Sequence, residues 1–327
     1  LMRLYVLNVD RAAALRTYHS CVTLLERELG VGPGEALQEA YQRLLQQQAP
    51  AVLRHRSGPV GQNAVPLIGR AAEWQTLLSR WRRSARGHAR FVLIAGEPGI
   101  GKTRLAEELL SWADRQGIAG ARARSYAAAG ELAYAPVIDW RLQPIFQASL
   151  NEVDDVWLAG ISRLIPEIQI EHPSLSRTGP VDESWRRRRL FEAMANVVTV
   201  DGQPQLLLID DLQWCDSETL AWLAYLMAAY PQTPLLIIGT VRPEEIDRDH
   251  PMNTLLIELR SSGKLAKLEL GPLNLDETLT LAAHESSDLF VADKIEDLFE
   301  YTEGNPLYIV ETVRAATGRD EEPAEAP

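Results

Sequence analysis

Two cysteines in 327 residues leave no material for a disulfide framework. Their positions, Cys21 and Cys215, form no C-x-x-C pair from which to build a zinc site. A reducing, cytoplasmic setting is the expectation. The six histidines lack H-x-x-x-H spacing and no G-x-S-x-G occurs, so zinc-protease and serine-hydrolase chemistry have no carriers here. No apolar run approaches the roughly 18 residues of a bilayer span, and the opening LMRLYVLNVD lacks a signal peptide's layout. No membrane partner is expected. A basic excess is missing too. The net charge of -12 repels nucleic acid overall, which confines any DNA contact to a local basic patch or to a part outside this sequence.

What is present reads as a globular chain of more than one unit, with 46% apolar and 24% charged residues at a length beyond one ordinary core. Over residues 1–48 the pattern is helical. Ala14, Leu15, Tyr18, Val22 and Leu25 share one stripe at spacings of three and four. GVGPGE breaks it and ALQEAYQRLLQQQ resumes a second helix, either a tetratricopeptide-like hairpin or another helical hairpin. A helical pattern already under way at Leu1, with no cap before it, leads us to expect a chain that begins inside a domain. Residues 49–65 carry Pro, Gly and Ser without a sustained period and read as a linker.

From residue 66 the texture alternates. Strand candidates are RFVLIA (90–95), GARARSY (120–126), PQLLLIDD (204–211), PLLIIGTVR (234–242) and LAKLEL (265–270), with helices between most of them. Such an α/β pattern predicts a parallel sheet covered on both faces, with ligands at the strands' carboxyl ends. The expected core runs over 66–272 and a helical lid over 273–316, where Asn305 can cap and Pro306 fits the first helical position. Residues 317–327 are acidic, lack apolar anchors and are expected to be disordered.

GEPGIGKT, residues 96–103, satisfies G-x-x-x-x-G-K-[ST] with Gly96, Gly101, Lys102 and Thr103. Along Gly96, Glu97, Pro98, Gly99, Ile100 and Gly101 the backbone is freed so that N–H groups can converge on a polyphosphate at a helix N-terminus. Lys102 would neutralise the outer phosphates, the Thr103 hydroxyl would sit on Mg²⁺, and Arg104 follows in the first turn. LLLIDD ends a buried strand in two carboxylates, an expensive arrangement unless cations answer it. Asp210 is the candidate Mg²⁺ holder and Asp211 the candidate that orients water. Asp216, before SETLAWLAYL, is free to cap the next helix. Arg242, in GTVR after Thr240, could reach a terminal phosphate. The basic runs 80–90 and 185–189 are expected to be solvated or ion-paired faces. GTP selectivity has no support, since neither D-x-x-G after the acids nor N-K-x-D occurs; the expected ligands are ATP, ADP and Mg²⁺.

Together these stretches resemble the signal transduction ATPases with numerous domains, the STAND class of P-loop ATPases. PLIGRAAEW resembles the family's h-h-G-R-x-x-E motif through Gly69, Arg70 and Glu73, GEPGIGKTRLAEEL its phosphate loop, and LLLIDDLQWCDSETLAWL its D-D-L-H-W-A-D stretch. GTVR resembles its T-x-R sensor and TEGNPLYIVETV its G-x-P lid motif. The resemblance implies Arg70 and Pro306 near the adenine and Arg242 near the γ-phosphate. Gln213 stands where His is common and Cys215 where Ala is common, which questions a proton-handling role at Gln213.

Residues 1–48 separately resemble the C-terminal part of a bacterial transcriptional activator domain, as found in regulators of the antibiotic regulatory protein type or in large LuxR-type regulators. That implies a DNA-binding domain beyond this sequence. The residues leave three functions open: a slowly hydrolysing ATP switch of a transcriptional regulator with nucleotide-dependent self-association, a turnover enzyme acting on a second substrate, or a non-hydrolysing scaffold. The retained Lys102, Thr103, Asp210 and Asp211 disfavour the scaffold. The lack of any second-substrate motif disfavours the turnover enzyme.

Overall fold

In the computed structural model the described residues are 67–126, 133–141, 153–162, 168, 183–199, 202–285 and 295–316. The expected N-terminal hairpin, linker and acidic tail lie outside them. The chain divides into two units, Leu1–Ala64 and Val65–Pro327; all described residues belong to the second.

Five parallel strands form one sheet: β1 (Arg90–Ala95), β2 (Ala119–Arg124), β3 (Gln205–Asp210), β4 (Leu235–Val241) and β5 (Leu265–Glu269), in the order β2-β3-β4-β1-β5. Their inner members are apolar runs because both faces are covered, which removes the alternation a half-exposed strand needs. Every residue of β3 and β4 is buried. Alternate side chains serve two cores. Phe91 and Leu93 of β1 pack with Leu207 and Ile209 of β3 on one face, while Val92 and Ile94 pack with Leu206 and Leu208 on the other.

On the second face lie α1 (Ala71–Ser84) and α2 (Lys102–Arg115), which contribute Leu77, Leu105 and Leu109. The first face is covered by α3 (Ala135–Arg141), α4 (Asp155–Ile161), α5 (Glu183–Thr199), α6 (Ser217–Ala229) and α7 (Met252–Ser261). Asp216 caps α6, its carboxylate accepting from the Thr219 amide at 2.8 Å. Three arginines of α5 are engaged. Arg187 donates to Glu218, Arg188 to Glu192, and Arg189 lies over the Trp157 ring.

Beyond the sheet, α8 (Leu275–Glu285), α9 (Ile295–Thr302) and α10 (Pro306–Ala316) build a smaller core from Leu273, Leu281, Ala282, Ile309 and Val313. Gly304 joins this cluster to the segment after β5. Its φ is +73°, and a Cβ there would lie 2.2 Å from the Leu273 carbonyl oxygen, so only glycine permits the approach. Among the described residues no helix is long and apolar enough to cross a membrane.

Candidate functional site

A cavity of about 490 Å³ opens at the carboxyl ends of the strands. Pro98 to Arg104 form one wall, Arg124, Asp211 and Arg242 a second. Toward the lid, Leu67, Ile68, Leu273, Leu281, Pro306, Leu307 and Val310 supply apolar lining, and Arg70, Glu285, Glu311 and Arg314 line the cavity beside them. The cationic loop and strand ends suit phosphates, and the apolar side chains toward the lid, edged by charged residues, suit a flat ring that carries polar groups.

The first wall follows from the loop between β1 and α2. Gly101 takes a φ of +99°, and a Cβ there would meet nothing within 4 Å, so space lies open before the helix. No side chain caps α2 and no acid sits in its first turn. The positive end of the helix therefore faces the cavity unscreened. Lys102 is buried, its ammonium donating to the carbonyl oxygens of Gly96 at 2.7 Å and Glu97 at 2.8 Å. Burial pushes its pKa below the ordinary lysine value and Arg242 adds repulsion, against the pull of Glu244, Asp211 and Asp210. A desolvated ammonium held on two loop carbonyls has a strong drive toward an anion in the same concavity.

The second wall is a charge network. Asp210 is wholly buried. Its Oδ1 accepts from Thr103 Oγ1 at 2.8 Å and from Thr240 Oγ1 at 2.6 Å, and its Oδ2 from Arg122 Nη2 at 3.2 Å. Arg122 also pairs with Glu107. Asp211 leaves the strand in the left-handed region, at φ 57° and ψ 49°, which turns its side chain away from that of Asp210. Its Oδ2 accepts from Arg124 Nε and Nη2 at 3.3 and 3.0 Å, and its Oδ1 from Gln213 Nε2 at 3.3 Å. Burial works against the Arg124 charge, but the bond to Asp211 and the charges of both aspartates outweigh it and raise its pKa. Arg242 lies 3.6 Å from Asp211 Oδ1, pairs with Glu245 at 3.0 Å and covers the Trp214 ring at 5.1 Å. Gln213 uses both ends of its amide, since its Oε1 accepts from the Arg242 amide at 3.3 Å.

The oxygens of Thr103 and Asp210 are hard donors that suit Mg²⁺. Among the described residues no group of three or more His, Cys, Asp or Glu could hold a metal. Two protein oxygens fit an ion that keeps waters and completes its shell with phosphate.

The lid touches the loop directly. Asn305 Nδ2 donates to the Pro98 carbonyl at 3.0 Å, and the Leu307 amide donates to the Gly99 carbonyl at 3.3 Å. Asn305 also caps α10, its Oδ1 accepting from the Leu307 amide at 3.1 Å. Arg70 is buried; its Nη2 donates to the carbonyls of Ile100 at 3.1 Å and Gly271 at 2.7 Å, and its Nη1 to Glu73 Oε1 at 3.4 Å. It ties the loop to the segment after β5. Gly69 precedes it, with a φ of +68°. Arg104 turns to Glu108 at 3.4 Å.

Lys102, Thr103, Asp210, Asp211 and Arg242 are therefore brought together, with Arg70 and Pro306 at the far end. Arg122 and Arg124 escaped the sequence reading. A signal existed: two arginines at i and i+2 fall on one face of a strand, and the parallel register sets Arg124 beside Asp210. Like charges on a covered strand need carboxylates nearby.

Residues 66–238, more than half of the chain, match the AAA ATPase domain. Residues 1–45 match the bacterial transcriptional activator domain. No curated protein matches the chain. Among solved structures it is similar to Cdc6p from Pyrobaculum aerophilum, at 14% identity and a TM-score of 0.43, over 69% of this chain and 51% of that one. It is also similar to a RuvB variant from Thermotoga maritima, at 16% identity and a TM-score of 0.41, over 77% and 62%. Domain III of the Thermotoga maritima replication initiation protein DnaA gives 14% identity and a TM-score of 0.39, over 80% and 90%. The chain thus spans about half of the first of these proteins.

Proposed function

We propose, from the premise that this chain belongs to the AAA ATPase domain family, that it is the nucleotide-operated switch of a cytoplasmic bacterial transcriptional regulator. It binds ATP with Mg²⁺ in the cavity between sheet and lid and hydrolyses it slowly. The change of shape passes to neighbouring segments and to a self-association surface. DNA contact falls to segments outside the ATPase unit, which the net charge of -12 favours.

One observation carries this reading. The lid's Asn305 and Leu307 are hydrogen-bonded to the backbone of Pro98 and Gly99, so a ligand that rearranges the loop rearranges the lid with it. In this reading Lys102 exchanges its loop carbonyls for phosphate oxygens. Thr103 and Asp210 hold Mg²⁺, which supplies neutralisation of phosphate charge. Asp211 orients a water and accepts its proton, and Arg242 contacts the terminal phosphate. Arg70 and Gly69 set the width of the end toward the lid, where Pro306 and Leu307 flank the base.

Slow turnover is expected because Asp211 Oδ1 is held by Gln213, with the Arg242 guanidinium 3.6 Å from the same oxygen, which leaves at most one oxygen of the carboxylate for water. Switch NTPases with comparable parts turn over unaided at about 10⁻⁴ to 10⁻² per second, against about 1 to 100 per second for kinases. The test is thermal unfolding with and without Mg-ATP. Ligand at about a hundred times its dissociation constant adds roughly 2.7 kcal/mol, and K102A abolishes the gain. A wild-type chain freed of nucleotide that shows no shift at millimolar Mg-ATP sinks the proposal.

A further inference from the structure

Arg124 belongs to none of the motifs that mark the nucleotide site, yet it lines the same cavity as Lys102, Thr103 and Arg242. It grips Asp211 Oδ2 through two nitrogens, at 3.0 and 3.3 Å. The two partners are unequal in exposure, the Arg124 side chain being 45% exposed and that of Asp211 7%. The cation can swing into the cavity, and the buried carboxylate cannot follow it.

The second cation on Asp211 is anchored differently. Arg242 is 26% exposed, has Glu245 as a further carboxylate partner at 3.0 Å and packs on Trp214. The side chain of Arg124 has the two aspartates and, at 5.6 Å, the ring of Tyr126, itself 48% exposed. Of the two arginines, Arg124 loses less on leaving.

We infer that Arg124 reads the terminal phosphate of a nucleoside triphosphate, exchanging Asp211 for that phosphate and thereby releasing Asp211 Oδ2 to accept from water. This rests on the proposal above that the cavity takes ATP. Charge sets the direction of the exchange, because a terminal phosphate carries about two negative charges against one on Asp211. It also offers a planar guanidinium two acceptor oxygens where Asp211 offers Oδ2 alone. A diphosphate leaves Arg124 on Asp211. Arg124 therefore couples discrimination between ATP and ADP to the freeing of the carboxylate that handles water.

The experiment measures dissociation constants of Mg-ATP and Mg-ADP for the full chain, wild type against R124Q. The expected result is ATP affinity lowered about tenfold or more, the worth of one charge-assisted contact, with ADP affinity within about twofold of wild type. A purely structural Arg124 lowers both affinities alike, and that outcome overturns the inference, as does an unchanged ATP-to-ADP ratio. Should R124Q fail to fold, R124K decides by the same ratio. It keeps the charge without the two-nitrogen grip, so a several-fold loss confined to ATP is expected. Wild type that binds neither nucleotide overturns the ATP reading and this inference with it. Wild type that binds both while the variants keep its ratio overturns the inference alone.

Discussion

Thr240 ties the ends of two strands through one hydroxyl, donating to Asp210 Oδ1 at 2.6 Å while accepting from the Asp211 amide at 2.8 Å. Neither partner has water to fall back on, since Asp210 is wholly buried and Asp211 is 5% exposed. T240V is nearly isosteric but leaves a buried carboxylate short of a donor and a buried amide without an acceptor. A stability loss on the order of 2 kcal/mol or more is expected from chemical denaturation. T240S, which keeps the hydroxyl, should recover most of it; equal losses in both would assign the effect to packing.

Asp211 is expected to matter for hydrolysis rather than binding. D211N keeps the shape and still accepts from Arg124 through its amide oxygen, but loses the charge and the proton-accepting power. Single-turnover hydrolysis should fall by about 10² to 10⁴, with ATP affinity changed only several-fold. Unchanged single-turnover rates would remove Asp211 from the water-handling role.

Gly304 tests the coupling of lid and loop. G304A places a Cβ 2.2 Å from the Leu273 carbonyl oxygen at a φ of +73°, so the lid has to move. Backbone strain of this kind costs about 1–3 kcal/mol. Both ATP and ADP should bind more weakly and to a similar extent, because Asn305 and Leu307 shift away from the loop together. A variant with a lowered melting temperature and intact affinities would uncouple lid and loop.

Cys215 supplies a pH signature independent of nucleotide. Burial, with Asp216 nearby, pushes its thiol up to about 12 from an ordinary value of 9.0. The folded state holds the proton more tightly than the unfolded one, so this contribution to stability is intact below about pH 9 and is lost as pH rises toward 12. In a C21S background the native chain should yield no thiol to an aqueous disulfide reagent at pH 8 and one after denaturation. Rapid native labelling would contradict the burial of Cys215.

The architecture was legible because covered parallel strands write themselves as unbroken apolar runs. RFVLIA coincides with β1, and the other expected strands end within one residue of those observed at their carboxyl ends, except GARARSY, which stops two residues earlier at Arg124. That difference has a local cause. Ser125 still donates its amide to the Asp210 carbonyl at 2.9 Å, but β3 itself stops there as Asp211 turns into the left-handed region, leaving no straight neighbour to pair with.

The candidate site was legible only where chemistry demands fixed local spacing. Gly96 to Thr103 are contiguous because they form one loop, so the amino-acid order alone determined the glycine-rich loop between β1 and α2, the paired acids and the Asn305–Pro306 helix start. Partnership across the sheet carries no such spacing. Arg124 and Asp211 are 87 positions apart and meet at 3.0 Å because β2 and β3 lie side by side in register. Arg70 reaches Gly271 across 201 positions for the same kind of reason. The tertiary structure alone decided that Lys102 rests on its own loop and that Arg124 and Gln213 occupy the carboxylate of Asp211. Such contacts depend on which strand ends converge, and the three-dimensional order of the strands, not the order of residues along the chain, sets that convergence.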